Sequence, residues 1–151
     1  MKVVTGYKGF IGQNLIKRFD DYWGIERPVV QNHIEVIPWE KVTEIWHLGA
    51  ISDTTCQNLE LIHFYNVKMT LALFEKAIRY QIPVKYASSA SVYGNSYGVK
   101  INPLNHYAMS KATIDLWVED NMKRFSKIQG YRFFNVYGDH EEHKGGQASP
   151  V

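Results

Sequence analysis

Residues 3–12 read Val3-Val4-Thr5-Gly6-Tyr7-Lys8-Gly9-Phe10-Ile11-Gly12. A short apolar, β-branched run that stops at a glycine reads as a buried strand. Beyond it Phe10, Ile11, Leu15, Ile16 and Phe19 recur at helical spacing, so a helix is predicted to follow the glycines directly. GxxGxxG between a strand and a helix has a physical meaning. One glycine permits the tight turn, one lets backbone amides approach a pyrophosphate, and one packs helix on strand. The helix then turns its free N–H groups and the positive end of its dipole toward the phosphates. Three glycines can also make nothing more than a turn. It is their place after the first strand that marks Gly6, Gly9, Phe10, Ile11 and Gly12 as candidate dinucleotide-binding residues.

Working outward, Asp20-Asp21 through Pro28 reads as a turn region, with Val29-Val30 and Ile34 to Ile37 as short strand candidates. Glu44 to Ala50 is a more convincing strand. Leu59, Ile62, Val67, Leu71, Phe74, Ala77 and Ile78 predict a long helix, which Pro83 ends. Val84 to Ser91 is a strand, 95–105 a loop with Gly98 and Pro103, and His106 to Phe125 a helix with a near-complete polar face. Ile128 to Val136 is the last strand. Such alternation predicts an α/β fold with a mainly parallel sheet. No internal boundary divides it, and 151 residues suit one domain.

Composition narrows the function classes. The apolar fraction of 45% is ordinary for a globular chain. The net charge of +2 decides nothing about partners, and the lysines and arginines are scattered, with no run long enough to read as a nucleic-acid or membrane patch. Cys56 is the sole cysteine, which excludes an intrachain disulfide and fits a reducing compartment. The first residues do not form a signal peptide, because Gly and Lys break the apolar stretch at once. No apolar run approaches the ~18 residues of a membrane span. The expected location is cytoplasmic.

Two further stretches carry chemistry. In Tyr107-Ala108-Met109-Ser110-Lys111 the phenol and the ammonium stand four residues apart on a helix and share a face. A nearby cation favours the phenolate, drawing a tyrosine down from its reference of about 10. Tyr107 is thereby a candidate general acid/base, although such pairs also occur on plain surface helices. Ser88-Ser89-Ala90-Ser91 ends a strand, where open α/β sheets bind ligands; turn formation or capping is the plainer role for these hydroxyls. His140 and His143 lack nearby cysteines and zinc-helix spacing, so no metal is expected. His47, on a strand, is expected to be packed with its ring satisfied.

In order, the chain carries GYKGFIG (6–12), HLGA (47–50), Asn66, YASSASVYG (86–94), YAMSK (107–111) and RFFNVYG (132–138). This succession resembles the extended short-chain dehydrogenase/reductases of the NAD-dependent epimerase/dehydratase group, whose elements are TGxxGFIG, HLAA, NV, SSxxVYG, YxxSK and RxxNVYG. Two segments narrow it. FNVYGDHEEHKG (134–145) and GAISDTT (49–55) are similar to the FNVYGPREGHKG and GAxSxTT of ADP-glyceromanno-heptose 6-epimerases.

The resemblance implies a Rossmann-like, doubly wound sheet that binds NAD or NADP and acts on a nucleotide sugar. It implies that Ser89 hydrogen-bonds the reacting oxygen, that Tyr107 exchanges its proton, and that Lys111 holds the cofactor ribose and depresses the Tyr107 pKa. Lys144 matches a second acid/base. Leu48, Gly49, Ala50 and Asn66 fall at the cofactor, and Ser52, Asn135 and His143 at the substrate. The implied reaction is transient oxidation of the sugar and re-reduction with inverted configuration, the hydride chemistry being the cofactor's. Relatives form homo-oligomers through two long helices, here about Leu59 to Tyr80 and His106 to Phe125.

The chain also departs from that pattern. Aligning Gly24 to Asn32 on the family's second strand puts Gln31, with Asn32 beside it, where a carboxylate usually receives the ribose 2′-OH. Gln31 can hydrogen-bond that hydroxyl and repels a 2′-phosphate less, which leaves NAD and NADP both open. His33 to Lys41 replaces a longer family segment, apparently deleting a helix and a strand and thinning the adenine side. Family members continue past HKG into a substrate domain, whereas this sequence stops at Val151. The sequence is either a fragment or a shortened natural protein; in both cases the expectation is a shortened domain without the substrate domain, having little or no turnover alone. The competing readings are a non-catalytic dinucleotide-binding module or pseudoenzyme, and a reductase of the same superfamily acting on a non-sugar carbonyl.

Overall fold

A computed structural model describes residues 1–26 and 32–139. Val3 and Val4 are fully buried in β1 (Lys2–Thr5), as a strand covered on both faces requires. β1 pairs in parallel with β2 (Tyr22–Ile25) on one side and β3 (Glu44–His47) on the other. β4 (Val84–Ser89) and β5 (Ile128–Phe133) extend the sheet beyond β3, giving the order β2-β1-β3-β4-β5 with every pair parallel. All five strands therefore end at one edge. The chain leaves β1 toward β2 and returns to β3 across β1, so a switch point lies between β1 and β3, where sheets of this kind bind ligands.

The helices are α1 (Phe10–Ile16), α2 (Asn32–Glu35), α3 (Leu59–Ile62), α4 (Met69–Tyr80) and α5 (His106–Asn121). A wider π-helical stretch, His63–Lys68, joins α3 to α4 without a break. The expected stop at Pro83 comes two residues early. Gln81 adopts a left-handed conformation (φ 53°), and the Ile82 N–H returns to the Ala77 carbonyl at 2.9 Å.

Phe74 of α4 has no exposed surface and is ringed by His47, Tyr86, Trp117 and Phe125 at centroid distances of 5.5 to 6.2 Å. One aromatic thus ties α4 to β3, β4 and α5, contributing on the order of 3 kcal/mol by burial.

Several sequence expectations are corrected. The second strand is Tyr22–Ile25, inside the stretch read as a turn; Gly24 is there because the Tyr7 ring lies over it, 2.6 Å from where a Cβ would stand. Ile34 to Ile37 is not a strand. Asn32–Glu35 is helical, and Ile34 and Ile37 are buried on the core from a turn of helix and the bend after it. Val29-Val30 lies outside the described residues. β3 stops at His47 rather than Ala50, β4 at Ser89 rather than Ser91, and β5 at Phe133 rather than Val136. The polar face expected on the last long helix is partly inside: Ser110, Lys111 and Asp115 are all buried. Between β2 and β3 the described residues hold only α2 and a 3₁₀ turn, Trp39–Lys41, leaving β2 as the sheet's edge.

Candidate functional site

The glycine turn is built so tightly that side chains are excluded from it. A Cβ at Gly12 would stand 2.1 Å from the Gly6 carbonyl oxygen, and Gly6 itself has φ +68° with Gly49 Cα 2.8 Å from its absent Cβ. Hydrogen bonds from Gly6 N to Ile25 O (2.8 Å) and from Gly9 N to Gly6 O (3.1 Å) hold the turn against the strand ends. Gly9 precedes α1 with no side-chain cap, and the first turn has no acidic residue. The result is a bare backbone cradle at a helix N-terminus, fit for an anion.

The loop after β3 is fixed by a chain of buried hydrogen bonds. Gly49 N–H donates to Thr5 Oγ1 (2.9 Å), which lies 2.7 Å from His47 Nδ1. His47 Nε2 lies 2.8 Å from Thr70 Oγ1, which donates to the Asn66 carbonyl (2.8 Å). Since Thr70 gives its proton to Asn66, Nε2 must be the protonated nitrogen and Nδ1 the acceptor. Burial, with Lys111 nearby, holds His47 at about 3, so the ring is neutral. This is the satisfied, packed histidine expected from sequence.

Asn66 does not have its expected place. Its side chain receives Ile51 N–H (2.7 Å) and donates to Ile51 O (3.0 Å) and Ser110 Oγ (3.0 Å), so the amide is consumed in clamping the loop and does not line the cavity.

A cavity of about 740 Å³ opens at the carboxyl edge of the sheet. Gly6, Gly9, Phe10, Ile11 and Gly12 line one wall, and Leu48, Gly49, Ala50 and Ser52 another. Ser89, Tyr107 and Lys111 close it from β4 and α5. Ser89 caps the 3₁₀ turn Ala90–Tyr93 and accepts from the Ser91 hydroxyl at 2.8 Å, which leaves its own proton to be given elsewhere. Asn105 caps α5 by accepting from Ala108 N at 2.8 Å, which sets Tyr107 in the first turn of the helix.

The electrostatics differ from expectation. Burial raises the Tyr107 phenol above its ordinary value, with a hydrogen bond to Ser89 pulling the other way. Lys111 Nζ donates to the Ala87 carbonyl at 2.7 Å and stands 6.0 Å from the Tyr107 ring centre. Burial pushes Lys111 itself down to about 8, opposed by Asp115.

The remaining expected residues scatter. Gln31, His143 and Lys144 lie outside the described residues, and Asn32 opens α2 at the backbone level. Asn135 is exposed beyond β5 and does not line the cavity, where Phe133, Phe134 and Val136 do.

Sequence reading also missed one residue at the cavity. Glu26 follows β2 directly, lines the cavity, and accepts from the Lys8 backbone N–H through Oε1 at 2.7 Å. It stands about twenty residues past the first glycine, the usual place of a ribose-binding carboxylate. That spacing was a usable signal, but the second strand had been placed too late to expose it.

Residues 2–150 match the NAD dependent epimerase/dehydratase family. The chain belongs to that family. Among solved structures, this family member is similar to the ADP-L-glycero-D-manno-heptose-6-epimerase of Helicobacter pylori, at 29% identity and TM-score 0.82, with 98% of this chain and 59% of that one covered. It also shares its fold with a UDP-N-acetylglucosamine 4-epimerase from Methanobrevibacter ruminantium M1 in complex with UDP-N-acetylmuramic acid (22% identity, TM-score 0.79, 98% and 59% covered). A third neighbour is the UDP-glucuronic acid 4-epimerase from Bacillus cereus in complex with NAD (21% identity, TM-score 0.72, 91% and 58% covered). The chain thus spans less than two thirds of the length of each. Among the described residues of this epimerase/dehydratase-family chain, no helix is long and apolar enough to cross a membrane.

Proposed function

We propose that this chain is the cofactor-binding and proton-handling part of an NAD-dependent nucleotide-sugar epimerase, of the ADP-heptose 6-epimerase kind. The observation that carries the reading is the convergence of Ser89, Tyr107 and Lys111 on one cavity with the glycine turn. The cradle fits a dinucleotide: Gly12 and Gly6 leave space that a Cβ would fill, and the amides there can meet a pyrophosphate. Glu26 has a second carboxylate oxygen for a ribose hydroxyl and would repel a 2′-phosphate, which favours NAD over NADP. When bound, NAD would accept and return a hydride.

The chain's own groups handle the rest. Lys111 is placed to hold the ribose while anchored to Ala87 O. Ser89 offers its hydroxyl to the reacting sugar oxygen and steadies Tyr107, the acid/base. Ser52 lines the same cavity, which supports a contact with the sugar. Lys144, Asn135 and His143 keep their proposed roles as second acid/base and substrate contacts by resemblance alone. The whole is a single dinucleotide-binding domain, and association of two copies through α3, α4 and α5 is part of the proposal. Exposed Leu59, Leu61, Phe64, Met109 and Leu116 on these helices and the π stretch between α3 and α4 support it.

The test is a titration of the purified chain with NADH and NADPH, read by nicotinamide fluorescence. Saturable binding with NADH preferred is expected; no binding by either overturns the reading. Tyr107→Phe then separates chemistry from binding alone. It is expected to retain NADH affinity and to lose roughly 10²–10⁴-fold in turnover wherever turnover is measurable.

A further inference from the structure

Below the cavity lies a second polar cluster that the chemistry above does not use. Asp115, one turn beyond Lys111 on α5, is 8% exposed. Its Oδ1 accepts from Tyr86 OH (3.0 Å), and its Oδ2 from Ser88 Oγ (2.8 Å) and Arg132 Nε (2.8 Å). Arg132 also donates through Nη1 to Tyr93 OH at 2.7 Å. One carboxylate thus joins α5 to β4 and β5, and through Arg132 to the turn after β4.

A buried ion pair is a poor source of cohesion, because desolvation costs several kcal/mol per ion and apolar packing of the same volume often does as well. The charge must be judged by what it acts on. Ser88, which it holds, sits between Ala87, whose carbonyl anchors Lys111, and Ser89, which meets Tyr107. Lys111 is itself buried. It is faced by Asp115 and Tyr107 from α5, by the Ala87 carbonyl from β4, and by neutral His47 from β3. Glu26 and Asp53 line the same cavity, after β2 and in the loop after β3. Of these groups, Asp115 is the one whose charge opposes the effect of burial on the ammonium.

We propose that Asp115 is a positioning residue for this site, keeping the Lys111 ammonium charged and fixing the end of β4 through Ser88. The inference deepens the function proposed above and rests on its assignment of Lys111 to the cofactor and proton site.

The experiment follows Lys111 directly, in the free chain labelled with ¹³Cε-lysine, across about pH 6 to 11, a range that brackets a lysine. Lys111→Met identifies its resonance. In Asp115→Asn the midpoint is expected to fall by roughly one unit; a midpoint equal to the wild type's overturns the proposal, since a merely structural role would leave it in place. Should Asp115→Asn not fold, Asp115→Ser decides: it removes the charge but keeps a hydroxyl toward Tyr86 and Ser88, so the Lys111 midpoint must again fall, and an unchanged or higher one refutes the idea. NADH titrations run in parallel keep the two readings apart. A wild-type chain that binds no NADH at any pH refutes the proposed function, while the Lys111 midpoints still decide for or against Asp115.

Discussion

Glu26 Oε1 accepts the Lys8 backbone N–H at 2.7 Å, so the end of the edge strand β2 is tied to the middle of the glycine turn. The same carboxylate braces the turn and belongs to a residue that lines the cavity. Glu26→Gln is therefore expected to weaken NADH binding roughly tenfold, the scale of a charged hydrogen bond, and to narrow the gap between NADH and NADPH. Parallel fluorescence titrations of both nucleotides measure it; an unchanged preference would remove Glu26 from the site.

Gly12→Ala places a methyl 2.1 Å from the Gly6 carbonyl oxygen, backbone against backbone, where no side-chain rotation gives relief. The turn must move. We expect loss of NADH binding and destabilisation of about 1–3 kcal/mol, the range for overpacking, read from urea midpoints. Binding at wild-type affinity would mean that the cradle is not where the phosphates sit.

His47 supplies a pH dependence whose sign follows from its downward shift from 6.5 to about 3. The folded ring refuses a proton that the unfolded ring accepts, so its contribution is complete above 6.5 and lost as the pH falls toward 3. Each pH unit in that window corresponds to about 1.4 kcal/mol. Urea unfolding at pH 7.5 and 5.5 should differ by about that much in the wild type. The difference should shrink in His47→Gln, which can keep both threonine contacts without titrating.

Much of this was legible in the sequence, and the reasons are local. Val3-Val4 and the glycines announce themselves because a strand buried on both faces must be continuously apolar and a turn without room must be glycine. Tyr107 and Lys111 were legible because helical spacing fixes which residues share a face. β2 was not. It lies on an edge with only Ile25 buried, and it includes a glycine that only the Tyr7 ring explains. Reading that strand later in the chain points to Gln31, which lies outside the described residues, and passes over Glu26. The partners of Asn66, Ile51 and Ser110, were not legible, because sequence does not show which neighbour consumes a polar side chain's hydrogen bonds. The upward shift of Tyr107 was likewise out of reach, since burial, not spacing, sets it.

Association can be probed at α5, where Met109 and Leu116 are each about half exposed. Leu116→Glu is expected to shift the sedimentation profile toward monomer, with the circular dichroism spectrum and urea midpoint little changed. A wild-type chain that sediments only as monomer at high concentration would refute pairing through these helices.

Because all five strands run the same way, the two edges of the sheet have separate duties. One edge carries the cavity with Ser89, Tyr107, Lys111 and the glycine turn. The other carries, among the described residues, the returns before the strands, such as exposed Asp20-Asp21 before β2 and Ser126-Lys127 before β5. Insertions, tags or a relocated chain break should be tolerated at that second edge at modest cost in folding. The same changes a strand's length away would fall on the lining of the cavity. The protein thus comes with a handle and a working end, and an engineer can grip one without blunting the other.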